Sequence, residues 1–202
     1  MCQLKSCLVL KDRVFCPDYN SHQQMLEELG IEDDYLHASK TFVRVELLPP
    51  DGVKSLMEPL DRWTLKVDQD VTPEWWDADA DRQRVEEAVE EWRREHVFAG
   101  GKHVVKAGAV YACGSAKVEA SGRATVQAFG SATVEVYNSA TVKAYDNATV
   151  KAYDNATVEA YNNTKVEAFD RAIVKAYSSA MVIYPEERKI IYPAGWIIET
   201  HE

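Results

Sequence analysis

Ala148-Thr149-Val150-Lys151-Ala152-Tyr153-Asp154-Asn155 is one copy of an eight-residue unit that repeats along the second half of the chain. Its valine recurs at Val110, Val118, Val126, Val134, Val142, Val150, Val158, Val166, Val174 and Val182 without a slip of frame. A fixed short period implies one small structural unit stacked on copies of itself. Period-two alternation puts Ala148, Val150 and Ala152 on one face and Thr149, Lys151 and Tyr153 on the other. Asp154-Asn155 then ends the strand, because Asn and Asp tolerate left-handed backbone angles and hydrogen-bond their own backbone. Gly114-Ser115, Gly122-Arg123, Gly130-Ser131 and Asn138-Ser139 occupy equivalent places. β-Branched Thr and Val, interrupted by turn formers once per octad, oppose a helix. Each octad therefore reads as one short strand plus one corner. Its inward Ala-Val-Ala set fills only a narrow interior, which implies a slim β-solenoid in place of a wide barrel or an open sheet.

The residue after each valine decides how many octads close a coil. These residues are Glu119, Gln127, Glu135, Lys143, Lys151, Glu159, Glu167 and Lys175. Opposite charges stacked on neighbouring strands are favourable and like charges are not. At a spacing of 16, Glu135–Lys151, Lys151–Glu167, Lys143–Glu159 and Glu159–Lys175 are opposite, and Glu119–Glu135 is the exception. Spacings of 8 or 24 stack several like pairs, such as Lys143–Lys151 or Glu135–Glu159. The charge pattern thus predicts two strands and 16 residues per coil, with coils of one chain rising roughly 4.8 Å each. It also predicts two outer aromatic ladders, Tyr137–Tyr153–Phe169 and Tyr145–Tyr161–Tyr177. Rows of Thr stand beside them (Thr125, Thr141, Thr157; Thr133, Thr149), but Lys or Glu replaces the second Thr of the T-x-T rows typical of ice-binding solenoids. The ladders either support neighbouring coils at the corners or form an adhesive face for a partner or for self-association.

Three segments follow from these patterns: an acidic α+β module over 1–99, the octapeptide-repeat solenoid over 100–182, and a C-terminal β cap over 183–202. The cap, Ile183 to Ile198, reads as two bulky apolar strands around a polar turn, because an open solenoid end must be covered. Within the module, Leu8 to Phe15 reads as a tight hairpin. Ser21 suits the cap of a helix through Leu29 that Gly30 stops. Thr41–Leu48 and Trp63–Val67 read as strands. Asp77–His96 reads as a helix with Val85, Ala88, Val89 and Trp92 on one face. Gly100-Gly101 is the expected joint.

The net charge of −10 is not spread evenly. Residues 1–99 hold 12 Lys/Arg against 22 Asp/Glu, whereas residues 100–202 hold 11 of each. No basic footprint for nucleic acid is present. No apolar run approaches the about 18 residues of a transmembrane helix, and the apolar start Leu8–Leu10 is too short for a signal-peptide core. We therefore expect a cytoplasmic protein, without nucleic-acid or membrane partners. Cys2, Cys7, Cys16 and Cys113 fit no paired zinc pattern and no secreted disulfide framework.

Candidate chemistry is sparse. Asp77-x-Asp79-x-Asp81 lacks the Gly and Glu of a calcium loop, having Arg82 and Ala88 there, and reads as an acidic helix start. Cys2 behind the initiator Met reads first as an ordinary cysteine; the alternative is an N-terminal nucleophile, exposed if Met1 is removed. His22 and Asp18 would complete a Cys-His-Asp set with Cys2, Cys7 or Cys16. His37, His96, His103 and His201 show no metal-ligand spacing, and no phosphate-loop or nucleophile-elbow motif occurs. No cofactor and no metal are expected.

The octad resembles the V-x-G repeat of phage tail needles and secretion-system spikes, in which three chains intertwine, although Ala stands where Gly is frequent there. Met1-Cys2, Lys11-Asp12-Arg13-Val14-Phe15, Ser21-His22, Phe42-Val43-Arg44, Pro49-Pro50-Asp51-Gly52 and Val67-Asp68-Gln69-Asp70 precede octads of this type. In these segments, over nearly its full length, the chain resembles a group of phage and gut-bacterial proteins with an N-terminal α+β module and C-terminal octapeptide repeats. The resemblance implies a phage or mobile-element setting and supplies no activity. The expectation is a non-enzymatic binding or scaffolding protein with a protein partner, such as an inhibitor of a host factor. The alternatives are a structural oligomer of spike or fibre type, or a Cys2-dependent hydrolase.

Overall fold

The computed structural model describes residues 5–32, 41–186, 189–191 and 197–199. Contacts divide the chain into two units, Met1–Glu95 and His96–Glu202.

The first unit is a small α+β module. Its strands β1 (Lys5–Leu10), β2 (Val14–Phe15), β3 (Phe42–Leu48) and β4 (Thr64–Val67) form an antiparallel sheet in the order β2-β1-β3-β4. The hairpin turn closes through a bond from the Leu10 amide to the Arg13 carbonyl, 2.8 Å. Strand β1 lies inside the sheet and is buried along its whole length. Helix α1 (His22–Leu29) starts where its sequence signals say. The Ser21 side chain accepts from the Gln24 amide at 3.2 Å, and Gly30 ends the helix at φ +64°. Met25 and Leu26 of α1 pack with Leu8, Leu10 and Phe42 on one sheet face. Helix α2 (Ala78–His96) buries Val85, Val89 and Trp92, with Ala88 at the margin. The Asp77 carboxylate accepts from the amides of Asp79 and Ala80 at 3.0 and 3.1 Å. The acidic triplet is thus a helix cap that meets the positive end of the helix dipole.

Arginines of α2 hold the irregular segment in front of it. Arg82 donates to the Leu60 and Trp63 carbonyls at 3.2 and 2.7 Å, and Arg93 donates to the Glu58 carbonyl at 2.9 Å. Guanidinium groups suit this role, having five donors in a rigid fork.

The second unit is the β-solenoid. Its strands are β5 (Val97–Phe98), β6 (Lys102–Val105), β7 (Ala109–Ala112), β8 (Lys117–Ala120), β9 (Thr125–Ala128), β10 (Thr133–Val136), β11 (Thr141–Ala144), β12 (Thr149–Ala152), β13 (Thr157–Ala160), β14 (Lys165–Ala168), β15 (Ile173–Ala176), β16 (Met181–Tyr184), β17 (Lys189–Ile191) and β18 (Ile197–Glu199). Odd strands β5 to β15 make one parallel sheet. Even strands β6 to β16 make a second, which β17 and β18 extend antiparallel. Successive octads alternate between the sheets, so the ten octads from β7 to β16 make five coils of 16 residues. The first strand of the stack, Val97–Phe98, precedes Gly100-Gly101. There the step is shorter: Val97 pairs with Tyr111 and Lys102 with Lys117, before the 16-residue step takes over at β7.

The predicted inward set fills the coil. Ala148, Val150, Ala152 and most of their equivalents are at 0 % exposure, in one continuous cluster from Val105 to Val182. Thr164 replaces an inward Ala and is equally buried. Its hydroxyl donates to the Tyr161 carbonyl at 2.6 Å, which satisfies this buried group. Backbone bonds between coils continue through the corners, for example Asn147 amide to Gly130 carbonyl and Arg171 amide to Asp154 carbonyl, both 3.0 Å.

Candidate functional site

The outer surface of the solenoid carries the most ordered chemistry in the chain. The residue after each strand is turned outward, and every strand in a sheet stands one coil above the last. Aromatic rings at that position therefore stack. Tyr137–Tyr153 and Tyr153–Phe169 have centroids 4.9 and 4.8 Å apart with nearly parallel planes. The other ladder runs Phe129–Tyr145–Tyr161–Tyr177 at 5.0, 4.9 and 4.8 Å. Phe129 thus adds a rung that the sequence reading did not include, although its spacing of 16 from Tyr145 was available. Phe129 is buried, the middle rings are half-buried, and Tyr177 at the end of its column is 42 % exposed.

Beside the rings run the charge columns. Lys143 meets Glu159 at 3.3 Å and Lys151 meets Glu167 at 3.9 Å, as the alternation predicts. The like pair Glu119–Glu135 does stack in register. Two neighbours relieve it: Lys102 reaches Glu119 at 2.6 Å, and the Tyr137 hydroxyl donates to Glu135 at 3.0 Å. Partial burial and the Glu135 carboxylate push the Tyr137 phenol up to about 12. Partial burial and Glu159 likewise raise Tyr161, whose hydroxyl donates to that carboxylate at 3.3 Å. These phenols stay protonated donors at neutral pH.

The corners form a third column. Asn138, Asp146, Asp154, Asn162, Asp170 and Ser178 all have φ between +53° and +59°, in line with Gly114, Gly122 and Gly130. The carboxylates of Asp146, Asp154 and Asp170 accept from the amides of Gly130, Asn138 and Asp154, one coil back, at 3.3, 2.9 and 3.1 Å.

In the first unit, an open groove of about 800 Å³ lies along α2. Its carboxylates, Asp61, Glu86, Glu87, Glu90 and Glu91, outnumber its two arginines. Arg93 and Arg94 both pair with Glu90, so the acidic character is partly neutralised within the groove.

The sequence candidates for catalysis fall in different places. Cys2, His37 and His201 lie outside the described residues. Asp18 is exposed in the loop after β2. His22 is buried at the start of α1, where its ring contacts the Val45 carbonyl at 3.1 Å and Asp68 at 3.5 Å. Burial lowers its pKa more than Asp68 raises it. His103 stacks on Phe98 at 3.9 Å and bonds the Gly100 carbonyl at 2.7 Å. The structure brings together one pair the sequence reading did not join: Cys7 and Cys16, with Sγ atoms 2.7 Å apart across the hairpin. Their spacing matches no motif. Only the hairpin register, visible from the Leu10–Arg13 turn, sets them opposite each other.

Among the described residues no group of His, Cys, Asp and Glu has the arrangement of a metal site. No described helix is long and apolar enough to cross a membrane. No protein-family model, curated protein or solved structure matches the chain.

Proposed function

We propose that the chain is a non-enzymatic scaffold, in which the solenoid is a stiff rod that presents its aromatic ladders to a protein partner. One observation supports this above the rest: aromatic rings, most of them half-buried Tyr, stack in register from Phe129 to Tyr177 in two ladders beside the charge columns, along an element whose interior is filled by Ala and Val. Rigid aromatic side chains with a polar handle are the residues that dominate binding surfaces, because they contribute area at small entropic loss. The resemblance to phage and gut-bacterial proteins suggests the partner, a factor of a bacterial host whose action the rod blocks.

The experiment compares the full chain with the double variant Tyr153→Ala/Tyr161→Ala. The wild type, expressed in a bacterial host, slows growth and cross-links to one defined host protein; both effects fall at least tenfold in the double variant while its circular dichroism is unchanged. Identical capture by wild type and variant would sink the reading.

A second reading is a structural oligomer. Among the described residues the odd-numbered sheet stops at β15, whose Ile173 is 56 % exposed, whereas the even-numbered sheet continues through β17 and β18. An apolar sheet edge pairs readily with another chain. Light scattering at a multiple of 22.8 kDa, lost in Ile173→Lys, supports this reading, and a monomer at all concentrations removes it.

A further inference from the structure

The Cys7–Cys16 pair is a built site. The turn bond makes Leu10 and Arg13 a hydrogen-bonded cross-strand pair, with Val9 opposite Val14 and Leu8 opposite Phe15. One step further, Cys7 faces Cys16 at a non-hydrogen-bonded position, where side chains of an antiparallel pair approach closest. Closing 2.7 Å to the about 2.05 Å of a disulfide needs only a small side-chain rotation. The two thiols differ in access. Cys7 is fully buried on β1, and Cys16 is half-buried just beyond β2 at the edge of the sheet.

The second observation is Lys5. It lies two residues before Cys7, on the same face of β1, and is 0 % exposed. Its ammonium donates to the Pro17 carbonyl and sits 4.9 Å over the Trp92 ring. A buried ammonium is unfavourable without a counter-charge. Ionisation of Cys16, which Lys5 favours, would supply one. The hydrogen bond from Cys7 is the main cause lowering the Cys16 thiol, and Lys5 adds to it. Burial, the Asp18 carboxylate and Glu91 of α2 act against them. Cys7 is pushed up by burial and by donating to Cys16, against the pull of Lys5. The pair thus divides into a half-buried thiol that its neighbours favour as the attacking group and a fully buried resolving thiol.

We propose that Cys7 and Cys16 form a thiol–disulfide exchange site whose co-reactant is a low-molecular-weight disulfide such as glutathione disulfide. The Cys16 Sγ thiolate attacks one sulfur of the co-reactant. A Cys16–glutathione bond forms, the co-reactant S–S bond breaks, and the first glutathione leaves as a thiolate that takes a proton from solvent. Cys7 Sγ then attacks Cys16 Sγ and displaces the second glutathione, which leaves with the Cys7 proton. Two protein thiols are oxidised by two electrons, and one disulfide is reduced to two glutathione molecules. The site is independent of the scaffold reading, since it lies within the first unit and uses no ladder residue.

The test equilibrates the full chain with reduced and oxidised glutathione over a range of ratios, quenches with N-ethylmaleimide and maps tryptic peptides. Cleavage after Lys5, Lys11, Arg13 and Lys40 leaves Cys7 on 6–11, Cys16 on 14–40 and Cys2 on 1–5. The expected result is a 6–11/14–40 cross-link at ratios where Cys113 is still alkylated. In Cys7→Ser the glutathione adduct on Cys16 accumulates, and in Cys16→Ser neither product forms. A direct check of the thiolate is the pH profile of Cys16 alkylation by iodoacetamide. Its midpoint lies below the about 8.5 of a free thiol and rises in Lys5→Met. Separate alkylation of Cys7 and Cys16 at every ratio, or a dominant cross-link through Cys2, would overturn the proposal. So would a wild-type Cys16 midpoint at or above that of a free thiol.

Discussion

At every corner of the solenoid one residue holds a left-handed backbone, and its identity changes along the stack from Gly to Asn or Asp and then to Ser. Gly adopts this conformation without strain, whereas a β-carbon makes it unfavourable by about 1–2 kcal/mol. Asn and Asp offset that strain through local side-chain bonds, and here the Asp carboxylates also reach back one coil. Asn138→Ala at φ +58° should lower unfolding free energy by about 1–2 kcal/mol in urea titration, while Asn138→Gly should lower it by less. A second residue-scale outcome concerns His22. Its folded pKa is lowered, so the unfolded chain binds the proton more readily. The stability from keeping this ring neutral is complete above the unfolded value of about 6.5 and is lost as pH falls from there through the lower folded value. The difference in melting temperature between wild type and His22→Gln should therefore narrow as pH drops from 7.5 towards 5. A constant difference would contradict the burial of this ring as the cause.

At the scale of single strands, the charge columns set which strands stack. Parallel register places Lys151 between Glu135 and Glu167. Lys151→Glu should line up four carboxylates in one column, with Glu119, Glu135 and Glu167, and lower the melting temperature, with most of the loss recovered at about 1 M salt, where the Debye length falls to about 3 Å. Adding Glu135→Lys and Glu167→Lys should restore the alternation and the stability at low salt. If the single variant melts like the wild type at low salt, the columns do not contribute to coil pairing. The same alternation makes the coil length legible in the sequence. The helices were legible too: Ser21, Gly30 and Asp77 act at the ends their types favour. The strand β5 was not, because Val97-Phe98 has no octad around it and pairs at a shortened step.

For the whole molecule the repeat implies a modular stack, in which each coil contacts its neighbours and stability adds along one dimension. Deleting 141–156 removes one full coil and leaves each remaining strand in its own sheet. This variant should keep its β-sheet circular dichroism and melt cooperatively at a somewhat lower temperature. Deleting 141–148 removes half a coil and moves every later strand, including the β16 to β18 extension, to the opposite sheet. That variant should lose most of its stability or aggregate in size-exclusion chromatography. Equal stability of the two deletions would mean that the 16-residue coil is not the cooperative unit.

The sequence by itself determined the solenoid: strand, corner, inward Ala-Val-Ala set, coil length and both aromatic ladders. Each follows from local periodicity and from neighbours at a constant spacing, so one dimension of information suffices. Only the tertiary structure decided the partners in the first unit. The opposition of Cys7 and Cys16, the burial of Lys5 against Trp92, and the engagement of His22 with Val45 and Asp68 join residues of unrelated spacing. Such contacts depend on hairpin register and on how helices cover a non-repeating sheet, and no periodic pattern along the chain encodes them.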